Sequence, residues 1–325
     1  MRKTVIYFLI IILLNLITLL FIINIKNKHQ IYLRNLMFSE IIADSTISND
    51  NELNSLIAKG FKTENRENFI NYLNQNTMNE LSLLKNQYKG NDSDKFLAVS
   101  ILKYLGDNPT GQICGVPSLG KVVFDVEKGI GCCSDYSKAW IFYAVFLGMK
   151  VREVNSLNHT TVEFYDGKLK KWVWIDPFNR AQFSLKNELL NQYEARKTTL
   201  FEKLIIINLN EKKLNIDLES YEGYNTSQLS TLLWKKGNNF IEVEEWDYRL
   251  RTFKLPKPIR QLILMTTGVS PGWLMLTNDS LASYLRILKT SIYLLIAIYS
   301  LVNLYLISKI VIYMKYPKQT LPIKA

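Results

Sequence analysis

Histidine is scarce in this chain. There are 2 in 325 residues, and between positions 30 and 285 His159 stands alone. Any imidazole chemistry in that stretch has one residue to use. The second, His29, lies at the end of an apolar segment. Cysteine is nearly as rare. Cys114, Cys132 and Cys133 are too few for a disulfide framework. A bridge between the neighbours Cys132 and Cys133 is strained. Pairing of Cys114 with Cys132 in an oxidising compartment would leave Cys133 as a thiol. Zinc is a poor reading, because these cysteines and His159 have no C-x-x-C spacing and adjacent cysteines do not easily face one ion. The chain also lacks an internal repeat and a glycine loop of the kind that cradles phosphate.

The net charge of +11 looks at first like a nucleic-acid signal. Its distribution says otherwise. Residues 1–28 carry Arg2, Lys3, Lys26 and Lys28, and residues 286–325 carry Arg286, Lys289, Lys309, Lys315, Lys318 and Lys324. Neither flank holds an acid, so the middle keeps 30 basic residues against 29 acidic ones. A near-neutral domain offers no basic groove for a phosphate backbone. The basic flanks instead accompany two apolar runs. Val5 to Ile25 is uncharged and long enough to cross a bilayer core, with Asn15, Thr18 and Asn24 as interruptions. Its length, and the lack of a small-residue cleavage site, favour an uncleaved anchor over a signal peptide. Ser291 to Ser308 is the second run. Two crossings put both termini on one side, and the acid-free basic tail places them in the cytoplasm. The expectation is a two-pass cell-membrane protein with residues of about 30–285 on the extracytoplasmic side.

Along the chain, residues 30–92 are polar, with patchy helical periodicity in Phe69, Leu73, Met78, Leu81, Leu83 and Leu84. They read as a stalk or an N-terminal helical layer. Asp94 is placed to cap a helix from Lys95 to Leu105, and Asp107 to Gly111 reads as a turn. Ser134 to Leu147 is apolar on most sides, as a buried central helix would be, and Gly148 suits its end. Val151 to Val154 reads as a strand. Thr161–Tyr165 and Lys171–Asp176 read as the arms of a hairpin around Asp166-Gly167. A two-residue turn pairs residues whose numbers sum to about 333, and a loop of Asp166 to Leu169 gives about 335. Both registers put His159 and Asp176 on the same sheet face. A helix from Leu185 to Lys197, a strand from Leu204 to Leu209 and a strand from Phe240 to Glu244 are expected next, and residues 253–285 read as a connector. The domain plan is therefore 1–28 anchor, 29–110 helical region, 111–252 central domain with the buried helix and hairpin, 253–285 connector, and 286–325 second membrane helix with its tail.

In order, the chain reads Gly131-Cys132-Cys133-Ser134-Asp135-Tyr136, then Asn158-His159-Thr160-Thr161-Val162-Glu163, then Trp172-Val173-Trp174-Ile175-Asp176-Pro177. Thiol, imidazole and carboxylate are the three groups a sulfur nucleophile needs: one attacks, one takes its proton, and one orients the imidazole. A cysteine at a helix N-terminus also meets outward-pointing amides and a positive dipole, which lower a thiol pKa from about 8.5. The same amides can hold an oxyanion. Asn158 is a candidate to orient His159, Gln112 a weak candidate for a second oxyanion donor, and Trp172 and Trp174 read as core or site wall.

Gly-x-Cys-x-Asp-Tyr-Ser entering an apolar helix, followed by His-x-x-Val-Glu and Trp-x-Asp-Pro, resembles the transglutaminase-like superfamily over roughly residues 115–180. The resemblance maps the nucleophile to Cys133 rather than Cys132, the base to His159 and the orienting acid to Asp176. It implies an α+β, papain-like core with the cysteine helix packed on an antiparallel sheet, flanked here by an N-terminal helical region and two transmembrane helices. It implies action on amide bonds of a protein or peptide through a thioester, by hydrolysis or by transfer to an amine. No metal or organic cofactor follows from the triad, although some members use calcium. Thr160 and Thr161 stand where the family often has an aromatic residue, and Cys132 where it usually has an aliphatic one. Two other classes stay open: a non-catalytic binding or assembly module of the same fold, and a membrane-complex subunit whose helices matter most.

Overall fold

The structure is a computed structural model that describes residues 2–24, 27–88, 93–107, 119–156, 159–197, 205–208 and 231–315. In chain order the elements are α1 (Arg2–Asn24), α2 (Asn27–Phe38), β1 (Ser39–Ala43), α3 (Asp50–Ala58), α4 (Arg66–Ile70), α5 (Gln75–Gln87), α6 (Ser93–Leu102), α7 (Leu119–Glu127) and α8 (Cys133–Phe146). There follow β2 (Val151–Asn155), β3 (Thr160–Asp166), β4 (Lys171–Asp176), β5 (Ala181–Leu185), β6 (Glu188–Leu189), α9 (Gln192–Lys197), β7 (Ile205–Asn208) and β8 (Leu232–Lys235). Last come α10 (Phe240–Thr252), α11 (Lys257–Thr266), β9 (Trp273–Thr277) and α12 (Asp279–Lys315). The chain divides into a unit of residues 38–282 and a unit of residues 1–37 with 283–325.

The larger unit is α+β. Its mixed sheet runs β1-β9-β8-β2-β3-β4-β5-β6, with β7 on β5. β1 and β9 pair in parallel, and the other described pairs are antiparallel. Strand alternation gives the sheet two apolar faces. Val151, Val162, Phe164, Val173 and Ile175 share a core with α8 and with Phe69, Met78, Leu81 and Ile101 from the helices before it. Val154, Trp174, Phe183, Trp234 and Leu274 form a second core with Leu53 and Ile57 of α3. Helix α8 is buried on nearly every side because Ala139, Trp140, Ile141, Phe142, Tyr143 and Ala144 leave it no polar face. Each large side chain so buried contributes about 1.5–3 kcal/mol over exposure.

Several sequence expectations change. The β3–β4 register pairs Val162 with Ile175 and Asp166 with Lys171. Asp166 stays in the ladder, and its Oδ1 accepts from the N–H groups of Lys168 and Leu169, both at 2.9 Å. The loop therefore starts one residue later than either expected turn. The shift is even, so His159 and Asp176 keep a common face as diagonal neighbours. The strand expected at Phe240–Glu244 is the start of α10. Its first amides, Ile241 and Glu242, donate to the Glu64 carboxylate at 3.0 Å each. The helix expected at Leu185–Lys197 is a tight hairpin followed by the short α9. Lys186 and Asn187 take φ of 50° and 69°, as a primed two-residue turn requires. Asn191 and Glu194 then bond each other's backbone N–H as a capping box at the mouth of α9.

The helix expected from Lys95 runs from Ser93 to Leu102, with Asp94 inside its first turn. Residues 253–285 are no mere connector, since β9 lies between β1 and β8. Residues 29–110 and 111–252 do not separate either: β1 belongs to the common sheet, and Phe69 and Met78 pack in the core of α8. Cys114, Gln112, Asn158 and most of the 107–111 turn lie outside the described residues.

In the smaller unit, α12 is the one helix among the described residues long and apolar enough to cross a membrane. The first helix offers the shorter apolar stretch Thr4–Thr18. The Tyr299 hydroxyl donates to Asn15 Oδ1 at 2.6 Å, and Asn15 Nδ2 donates to Asn303 Oδ1 at 2.9 Å. Tyr7 stacks on Tyr313 with ring centroids 5.9 Å apart. These pairings run in opposite chain directions, so α1 and α12 lie antiparallel.

Candidate active site

Gly131 opens the site. Its φ of +143° suits glycine, and a Cβ there would stand 3.0 Å from Asp135 Cβ and 3.3 Å from Val126 Cγ2. Cys132 is the N-cap residue of α8, and its N–H donates to Asp135 Oδ2 at 3.1 Å. That carboxylate also suits the positive end of the helix dipole. Cys133 follows as the first helical residue and is half-buried. The first N–H groups of a helix have no carbonyl four residues back to bond, so the thiol sits among donors.

The start of β3 is clamped onto this helix mouth. Ser137 Oγ donates to the Thr160 carbonyl at 3.0 Å, and the Thr160 amide lies near enough to the Cys133 thiol to pull its pKa down. The Ser137 bond fixes the residue next to His159. On its other side, the His159 N–H donates to Ser156 Oγ at 3.1 Å, and the Ser156 N–H donates to the His159 carbonyl at 2.8 Å. His159 is buried, and its Nε2 lies 2.7 Å from Asp176 Oδ2.

Asp176 is fully buried and fully committed. Oδ1 accepts from the N–H groups of Phe178 at 3.0 Å and Asn179 at 3.1 Å, and Oδ2 also accepts from Asn179 Nδ2 at 3.0 Å. The Phe178 ring bridges the two halves of the site, 6.3 Å from the His159 ring and 5.3 Å from the Tyr136 ring of α8. Cys133, His159 and Asp176 are thus gathered at one corner, where the mouth of α8 meets the adjoining ends of β3 and β4.

No protein-family model, curated protein or solved structure matches this chain.

The electrostatics correct one expectation. Burial pushes His159 down, but the charge and hydrogen bond of Asp176, with a contribution from Cys132, outweigh it and raise the imidazole above its ordinary value. The Cys133 thiol is also raised rather than lowered. The hydrogen bond in which the Cys133 thiol donates to its neighbour Cys132 is the largest cause and burial the next, against the opposing pull of the Thr160 amide. The resting thiol is therefore neutral, and its activation falls to a base.

Sequence reasoning missed two participants. Asn179 fixes the carboxylate that holds the ring, and the Asp-x-x-Asn spacing was its only signal. Cys132 tunes its neighbour, and its sulfur lies 3.3 Å from Ser134 Oγ. Glu163, from the same motif as His159, serves elsewhere. It accepts from Arg152 Nε at 2.6 Å, Gln192 N at 2.7 Å and Trp234 Nε1 at 3.1 Å. Trp174 is core, its Nε1 donating to Thr161 Oγ1 at 2.8 Å. Among the described residues no group of three or more His, Cys, Asp or Glu side chains is arranged to hold a metal.

Proposed function

We propose that this protein is a membrane-anchored thiol enzyme of the transglutaminase-like type, acting on amide bonds through Cys133, His159 and Asp176. The observation that carries the reading is the buried 2.7 Å contact of His159 Nε2 with Asp176 Oδ2, at the start of the strand that Ser137 of the cysteine helix holds through the Thr160 carbonyl. Because the carboxylate engages Nε2, Nδ1 is the nitrogen that serves the thiol. Nδ1 takes the Cys133 proton as sulfur attacks the amide carbonyl. The first-turn amides of α8 stabilise the oxyanion, and the imidazolium returns its proton to the departing amine. The resulting thioester passes its acyl group to water or to a second amine. The antiparallel contact of α1 with α12 supports a two-pass anchor, with the catalytic domain on the extracytoplasmic side.

The test is acyl trapping. Full-length protein in detergent is incubated with glutamine-containing peptides and hydroxylamine, and peptide hydroxamate is measured alongside the mass of the Cys133 peptide. Wild type forms hydroxamate and an acyl adduct at Cys133, Cys132→Ala keeps both, and Cys133→Ala and His159→Ala lose both. An adduct at Cys132, or hydroxamate formation indifferent to His159, sinks the assignment. The raised Cys133 thiol favours a second reading, a binding module that keeps the fold without the chemistry. That reading is supported if no peptide acylates the folded protein and alkylation of Cys133 does not respond to loss of His159.

A further inference from the structure

The corner between α10 and α11 concentrates positive charge in a domain that is otherwise close to balance. From Trp246 to Leu262 the bases are Arg249, Arg251, Lys254, Lys257 and Arg260, and the only acid is Asp247. That carboxylate is buried and pins the corner. Its Oδ2 pairs with Arg251 at 2.6 Å and its Oδ1 with Arg260 Nε at 2.8 Å, while Arg260 Nη1 donates to the Leu255 carbonyl at 2.7 Å. Arg249, Lys254 and Lys257 are exposed, and none of them pairs with a carboxylate among the described residues.

Apolar side chains stand among these cations. Phe253, at the turn itself, is 74% exposed. Among the described residues no large apolar side chain is more exposed, and the highest value on the apolar α12 is 70% at Met314. Trp246 is exposed one helical turn before Arg249, whose guanidinium lies 5.6 Å over its ring. On α11, Ile259 and Leu262 are exposed a turn apart, while Leu264 and Met265 are buried. Rings interleaved with lysine and arginine, on helices whose other side is packed, are the makeup of an element that lies at lipid headgroups. Lysines on both sides of the most exposed ring argue against a protein partner, because protein interfaces are depleted in lysine.

The corner is also tied to the segments that run on to α1 and α12. Beyond α11 the Ser270 N–H donates to the Leu264 carbonyl at 2.8 Å, and Trp273 pairs with Ser39, the residue directly after α2. The apolar α12 follows β9. We infer that the α10–α11 corner docks on an anionic lipid surface. Phe253 enters the acyl boundary, and Arg249, Lys254 and Lys257 pair with headgroup phosphates. The inference rests on the membrane anchor proposed above and not on the thiol chemistry.

The test uses full-length protein in lipid nanodiscs, of phosphatidylcholine alone or of an equal mixture with phosphatidylglycerol, with plain or brominated acyl chains. Phe253→Trp keeps a ring at the turn and adds a tryptophan that bromine quenches on contact. Its emission, taken as the difference from wild type, is expected to fall at least twofold on bromination in the anionic discs and much less in the neutral ones. Adding Arg249→Gln, Lys254→Gln and Lys257→Gln together should restore it. Raising salt from about 0.1 M to 1 M shortens the screening length from about 10 Å to about 3 Å and should act in the same direction. The salt series decides the matter if the triple substitution fails to fold. Protein held in the anionic discs with its added tryptophan unquenched overturns the inference and leaves the corner to a protein partner. Quenching equal in neutral and anionic discs, or indifferent to both the substitutions and salt, overturns it as well. Protein that does not co-elute with the discs overturns the anchor, and the inference with it.

Discussion

Replacing Asp176 by Asn keeps the shape of the side chain and inverts the logic of one atom. Oδ1 still accepts from Phe178 N and Asn179 N. Oδ2, which accepts from His159 Nε2 and Asn179 Nδ2, becomes an NH2 group that accepts from neither. His159 relieves the conflict by changing tautomer, so that Nε2 accepts and Nδ1 carries the proton. In the mechanism proposed above, an Nδ1 that already carries a proton cannot take the one on the thiol. Losing a positioned general base costs about 10²–10⁴ in rate. Loss of a buried charged hydrogen bond costs about 1.5–3 kcal/mol of stability, part of which Asn179 recovers by flipping its own amide.

The rate loss is read by hydroxamate formation and the stability loss by urea unfolding. The tautomer is read by 15N NMR of histidine-labelled protein, where 2 histidines give an assignable spectrum. Activity within threefold of wild type in the folded variant, or an unchanged His159 tautomer, refutes the reasoning.

Four further outcomes follow from the same contacts. His159 has a raised folded pKa, so its contribution to stability is fully present below about pH 6.5 and lost as pH rises through the folded value. The urea midpoint should fall over that window in wild type and stay flatter in Asp176→Asn. Cys132→Ala removes the largest cause of the raised Cys133 thiol, and iodoacetamide should then label Cys133 faster at pH 8. Gly131→Ala meets both the φ of +143° and the 3.0 Å approach to Asp135 Cβ, and a loss of about 1–3 kcal/mol is expected by chemical denaturation. Phe142→Ala, at 0% exposure in the core of α8, should cost about 3–5 kcal/mol in the same assay.

The grouping of the candidate residues was legible because the proposed chemistry rests on scarce residues in a local pattern. One histidine, a cysteine before an all-apolar helix and an aspartate at a strand end leave few ways to combine. The common face of His159 and Asp176 survived an error in register, because hairpin slips of two numbers preserve parity. What was not legible depends on partners far away in sequence. Phe240–Glu244 has the residues of a strand, yet Glu64 caps it into a helix from 177 and 178 positions away. Residues 253–285 carry enough proline and glycine to read as a connector, yet Trp273–Thr277 finds places beside Ser39–Ala43 and Leu232–Lys235. The direction of the Cys133 shift escaped for a different reason. Helix position argues for a lower value, and only the contact of the neighbouring sulfur reverses it.

The parallel pairing of Ser39–Ala43 with Trp273–Thr277 has a consequence for biosynthesis. An early strand has to wait, with its hydrogen-bonding edge open, until more than two hundred further residues have left the ribosome. Open edges recruit other chains, and such long-range closure is slow. A chain halted before Thr277 keeps all three of Cys133, His159 and Asp176 but leaves both Ser39–Ala43 and Leu232–Lys235 without the neighbour that joins them. Truncations on either side of that point should therefore separate detergent-dispersed monomer from aggregate by size-exclusion chromatography.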